Sequence, residues 1–103
     1  MPITLDENED RYLIRLEDEI SITLATELKN FLIRGLASGK GLRVELERAT
    51  ELDVTALQLL LAAEREARKS GTGFFIAGRV PDQISIAAVD AGFEKFPVPV
   101  VPK

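Results

Sequence analysis

Hydrophobic residues recur along this chain with two different periods, and the switches between them mark out its elements. Ile3 and Leu5 alternate with polar neighbours, which predicts a short opening strand. Residues 6–10 form a polar turn, and Tyr12, Ile14 and Leu16 then alternate with Leu13 and Arg15 in a second strand, so the two read as a hairpin. From Ser21 or Thr23 the period lengthens. Leu24, Leu28, Phe31, Leu32 and Leu36 recur at spacings of three and four, predicting an amphipathic helix with Lys29, Asn30 and Arg34 on its other side. Gly39 and Gly41 supply its left-handed stop. Leu42, Val44 and Leu46 alternate with Arg43, Glu45 and Glu47 in a third strand, and a turn through residues 48–51 leads onward.

The next helix is the centre of the sequence. Asp53 is a strong N-cap, because its carboxylate can accept from the orphan amides of a first helical turn. Thr55 falls two places in, near solvent and close to the positive end of the helix dipole. Leu57, Leu60, Leu61 and Ala67 form a long apolar face that anchors the helix, so the hydroxyl is carried by a rigid element. The helix runs to about Lys69, with Glu64 and Arg68 at a supportive spacing and Gly71 as its stop. Phe74, Phe75, Ile76 and Ala77 read as a strand covered on both faces. Pro81 suits the first turn of a further helix, with Ile84, Ala87, Ala88 and Ala91 inward and Gly92 ending it. Phe93 and Phe96 are expected to pack back onto the core, and Pro97, Pro99 and Pro102 leave the tail, residues 97–103, extended or frayed. Strand-helix alternation after a hairpin predicts an α/β fold, a mixed sheet of four to five strands with three to four helices, in a single domain spanning residues 1–103.

Composition narrows the chemistry. In 103 residues there is no cysteine and no histidine, which removes disulfides, thiol catalysis, the usual general base and the commonest metal ligand. Thirteen basic against 17 acidic residues give a net charge of −4, without the basic footprint of nucleic-acid binding. The start has no basic region followed by an apolar one, and the longest apolar run, residues 56–63, is broken by Gln58 and too short to span a bilayer. A cytoplasmic protein without membrane insertion, cofactor or metal is the expectation, and its oligomeric state is left open. Asp6, Asn8 and Asp10 with Glu17 at the twelfth place mimic a calcium loop, but Arg11 stands where the sharp-turn glycine is required. Glu45 and Glu47 share a strand face and read as solvated. No matched pair of carboxylates advertises catalysis, so the chain is expected not to be an enzyme.

The order of these pieces resembles a STAS domain, the module of anti-sigma factor antagonists and of sulfate-transporter tails. The resemblance rests on Val44-Glu-Leu-Glu-Arg-Ala-Thr-Glu-Leu-Asp53-Val-Thr55-Ala-Leu-Gln-Leu-Leu, which is similar to the family's strand, loop and Asp-Ser-Ser/Thr-Gly-Leu helix start. Leu16-Glu-Asp-Glu19-Ile is similar to its Gly-Glu-Leu-Asp, Gly73-Phe-Phe-Ile-Ala-Gly-Arg-Val-Pro81 to its fourth strand and turn, and Ala91-Gly-Phe-Glu-Lys-Phe96 to its closing motif. Val54 and Ala56 replace the usual Ser and Gly, and Asp18 and Ser21 replace the Gly and Asp of the second-strand signature.

The resemblance implies phosphorylation at Thr55 by a partner serine/threonine kinase. It implies partner binding by Asp53, Val54, Ala56 and Leu57, with a secondary patch at Asp18, Glu19 and Ser21. The bland alternative for Thr55 is a helix-start residue whose hydroxyl helps satisfy orphan amides. The alternative for the whole chain is a constitutive, unphosphorylated adaptor in a lipid-transport ABC complex or in a chemotaxis or two-component assembly, since STAS-like single domains serve those as well.

Overall fold

The computed structural model describes residues 2–93 and 100–101. Five strands form one mixed sheet in sequence order: β1 (Ile3–Glu7), β2 (Tyr12–Ile20), β3 (Leu42–Leu52), β4 (Phe74–Ala77) and β5 (Val100–Val101). β1 runs antiparallel to β2 as the hairpin requires, and every later pair is parallel. Each parallel step is a crossover through a helix: α1 (Ala25–Ser38), α2 (Val54–Ser70) and α3 (Asp82–Asp90). This is the α/β architecture that the periodicity predicts. Phe96 and the tail apart from β5 lie outside the described residues, while β5 itself pairs with β4.

One face of the sheet packs against the helices, and the other carries charged side chains beside the buried Leu13 and Ala77. Tyr12, Ile14, Leu16, Leu42, Val44, Leu46, Phe74 and Ile76 point to the helix-packed face and share one core with Leu28 of α1, Leu57 and Leu60 of α2, and Ile84 and Ala88 of α3. The other face carries Arg15, which pairs with Asp6 at 3.7 Å and Glu45 at 3.8 Å. Glu45 and Glu47 therefore do not simply face solvent: Glu45 pairs with Arg15, and Glu47 accepts from the Arg79 amide. Burying one face of this sheet is the main stabilising term, because apolar area removed from water contributes in proportion to its extent.

Helix α1 lies unusually close to the sheet at Gly35. A Cβ there would sit 2.7 Å from Leu42 Cδ1 and 2.9 Å from the Tyr12 ring. The Tyr12 hydroxyl donates to the Phe31 carbonyl at 2.9 Å, tying the strand to the helix one turn earlier. Glycine at position 35 is what lets that ring slide under the helix.

Two boundaries differ from the periodicity reading. The residues assigned to a turn, 48–51, continue β3 to Leu52, and β2 extends to Ile20. The reason is a pair of irregularities in the β2–β3 register, between Arg15 and Glu17 and between Asp18 and Glu19. Asp18 takes a left-handed φ of 58° there. Beyond Leu46 the buried positions of β3 fall at every third residue, Leu46, Ala49 and Leu52, so a search for strict alternation loses the strand. Pro81 stands at the N-cap of α3 rather than inside its first turn, and its carbonyl accepts from the amides of Ile84 and Ser85. Among the described residues no helix is long and apolar enough to cross a membrane.

Candidate functional site

Asp53 is the hinge between β3 and α2. It has extended backbone angles, and its carboxylate accepts from the Thr55 amide at 2.9 Å, satisfying one of the donors that every helix start leaves over. Its carbonyl accepts from the Leu57 amide at 3.0 Å, and its own amide donates to the Ile20 carbonyl at 2.9 Å. The last bond joins the start of α2 to the end of β2. It brings the two segments singled out in the sequence onto one edge of the molecule, at the carboxyl ends of the parallel strands.

Thr55 occupies the second position of α2 and is half-buried rather than fully exposed. Its hydroxyl has no hydrogen-bond partner among the described residues, whereas its amide is taken by Asp53. The helix start is thus capped by the Asp53 side chain, and the Thr55 hydroxyl satisfies none of its amides among the described residues. Val54, the first helical residue, is 47% exposed.

Ala56 and Leu57 correct the expectation. They are 1% and 0% exposed and belong to the central core, so their side chains offer nothing for a partner to touch. The helical period dictates this: α2 turns its inner stripe, Ala56, Leu57, Leu60, Ala63 and Ala67, toward the sheet. Asp18 and Glu19 are exposed and Ser21 is half-buried, its hydroxyl 2.7 Å from that of Thr23. In the β2–β3 register Glu19 stands opposite Glu51, so the rim around Thr55 is acidic.

Ile22, which the hydrophobic spacing does not single out, is 63% exposed in a single 3₁₀ turn, Ile22–Leu24, ahead of α1. It lies two residues beyond Ile20 as Val54 lies one beyond Asp53, so two exposed apolar side chains flank the Ile20–Asp53 bond. Its signal was its phase: Ile22 is off the stripe set by Leu24, Leu28 and Leu32. Among the described residues no group of three or more acidic side chains is disposed to hold a metal ion.

The fold is similar to that of several solved structures, and a family model matches most of the chain. A family model described as Mlab, STAS domain, matches residues 3–98. Among solved structures, the anti-sigma factor antagonist SpoIIAA in its unphosphorylated form superposes with a TM-score of 0.72 at 15% identity, over 96% of this chain and 86% of that one. The phosphorylated form of the Bacillus protein gives 0.72 at 15% identity, over 98% of this chain and 90% of that one. RsbS of Moorella thermoacetica, carrying a serine-to-glutamate change, gives 0.74 at 17% identity, over 100% of this chain and 88% of that one. No curated protein sequence gives a significant match.

Proposed function

The chain belongs to the STAS domain family, and from that premise we propose that it is a protein-protein interaction module switched by phosphorylation of Thr55. The observation that supports this reading is the Thr55 hydroxyl at the second position of α2, without a hydrogen-bond partner among the described residues, in a helix start already capped by Asp53. A phosphate on that oxygen adds roughly 1.5–2 negative charges at neutral pH. Helix N-termini accommodate anions, because first-turn amides and the helix dipole face them. The packed core behind α2 does not have to move. The change falls on the surface, where Asp18, Glu19 and Glu51 already make the rim acidic and a further anion turns away a partner that docks there.

That partner is a serine/threonine kinase of the anti-sigma type, which reads Val54 and Asp53 together with Asp18, Glu19 and Ser21. The structural likeness to anti-sigma factor antagonists, one of them in a phosphorylated form, supports the reading. Incubation with a serine/threonine kinase of the anti-sigma class from the same organism and ATP, followed by mass spectrometry, tests it. One phosphate on the wild-type chain and none on Thr55→Ala is the expected result; an unmodified wild-type chain refutes it.

A second reading is a constitutive adaptor, of the sort STAS-like single domains supply to lipid-transport ATPase complexes. Val54 favours it. An exposed apolar residue at the first helical position suits a permanent contact, and the matching family model carries the Mlab description. Co-purification separates the two: a complex indifferent to Thr55→Glu belongs to the adaptor.

A further inference from the structure

Away from the Thr55 edge, α1 and α2 lie side by side on the outer surface of the helix layer and leave a shallow groove of about 190 Å³ between them. Its walls are apolar, with Ile33 and Leu36 from α1 and Leu59 and Ala62 from α2. Ile33 is 51% exposed, a large aliphatic side chain left in water. Two charges flank the groove, Lys29 from α1 and Glu66 from α2. Both helices return against parallel strands and so run in roughly the same direction. Lys29, in the first half of α1, therefore marks one end of the groove, and Glu66, in the last third of α2, marks the other.

Among the described residues Lys29 and Glu66 make no ion pair and no side-chain hydrogen bond, whereas Glu64 and Arg68 on the same helix pair with each other at 2.8 Å. A cation at one end, an anion at the other and an apolar floor between them form a self-complementary surface. A two-fold axis across the middle of the groove exchanges its ends, so Lys29 of each copy meets Glu66 of the other while the aliphatic residues meet at the centre.

We propose that this groove is covered by a second copy of the chain, in an isologous dimer pinned by two reciprocal Lys29–Glu66 pairs. The proposal is independent of the Thr55 switch, since the groove uses the outer face of the helices and leaves the α2 N-terminus clear. The dimer is a weak one, because the contact is shallow and rim charges are partly solvated.

Sedimentation velocity on the whole protein, from micromolar to millimolar concentration and at low salt, tests this. Wild type is expected to shift from monomer toward dimer across that range. Lys29→Glu and Glu66→Lys each set like charges against one another at both contacts and are expected to weaken association by about tenfold or more. Both positions are exposed, so the fold is expected to survive, and circular dichroism confirms it for each variant. Mixing the two variants restores both pairs in a heterodimer, and the mixture is expected to associate as the wild type does. A wild type that stays monomeric throughout, or a dimer indifferent to both single reversals, overturns the proposal.

Discussion

The backbone amide of Asp53 donates to the carbonyl of Ile20 at 2.9 Å, and this one bond makes a single surface of two segments 33 residues apart. Asp53 starts the helix that carries Thr55, and Ile20 ends the strand that carries Asp18 and Glu19. A partner that senses the threonine hydroxyl therefore also meets the acidic end of β2.

Replacing Asp53 by alanine removes the bond from the Thr55 amide but leaves the backbone bond to Ile20. The loss of an N-cap costs about 0.5–2 kcal/mol. Urea denaturation of Asp53→Ala is expected to show a lowered midpoint with an unchanged slope, and Asp53→Asn is expected to recover most of the loss. Equal stability of Asp53→Ala and wild type would contradict the capping role.

At Gly35 two effects oppose each other. Alanine is the better helix former by about 1 kcal/mol. Its Cβ, however, would press to 2.7 Å from Leu42 Cδ1 and 2.9 Å from a Tyr12 ring that is held by its hydroxyl to Phe31. Overpacking of this sort costs about 1–3 kcal/mol. Gly35→Ala is therefore expected to be destabilised on thermal unfolding, whereas Ala at a solvent-facing helix position would be tolerated.

Glu64 is 7% exposed, and Arg68 one turn later holds both of its carboxylate oxygens at 2.8 and 3.0 Å. Arg68→Ala leaves a buried carboxylate without its partner and is expected to cost about 1–3 kcal/mol. Glu64→Leu removes the charge altogether and is expected to be neutral or stabilising. Chemical denaturation of the two variants side by side checks the asymmetry.

The Tyr12 hydroxyl is pushed above its ordinary value of 10.0, chiefly by burial, with Arg34 acting against the shift and Glu7 adding to it. The folded state thus favours the neutral phenol more than the unfolded chain does. The stability linked to that preference is present in full below pH 10.0 and is lost as pH climbs through the raised folded value. Urea midpoints measured from neutral to strongly alkaline pH are expected to fall more steeply for wild type than for Tyr12→Phe. The variant should begin about 0.5–1.5 kcal/mol lower at neutral pH for want of the hydrogen bond to Phe31.

Much of the fold was legible because long amphipathic helices and the Asp53 cap announce themselves through spacing alone. The end of β3 was hidden, since the irregular register near Asp18 replaces alternation by a three-residue spacing at Leu46, Ala49 and Leu52. The place of Thr55 and the role of Asp53 were readable from the motif. The burial of Ala56 and Leu57 follows from helical phase, yet the motif groups them with their exposed neighbours. Ile22 and the Lys29–Glu66 groove depend on which elements lie side by side, which a linear pattern does not carry.

In the proposed switch, one anion at Thr55 changes docking without changing the fold. Titration calorimetry of the unmodified and the stoichiometrically phosphorylated protein against the kinase partner tests it most directly. At least about tenfold weaker binding is expected after phosphorylation, or about 1.4 kcal/mol, with the circular dichroism spectrum and urea midpoint unchanged. Equal affinity of the two forms, or a weakened complex accompanied by unfolding of the phosphorylated domain, would contradict it.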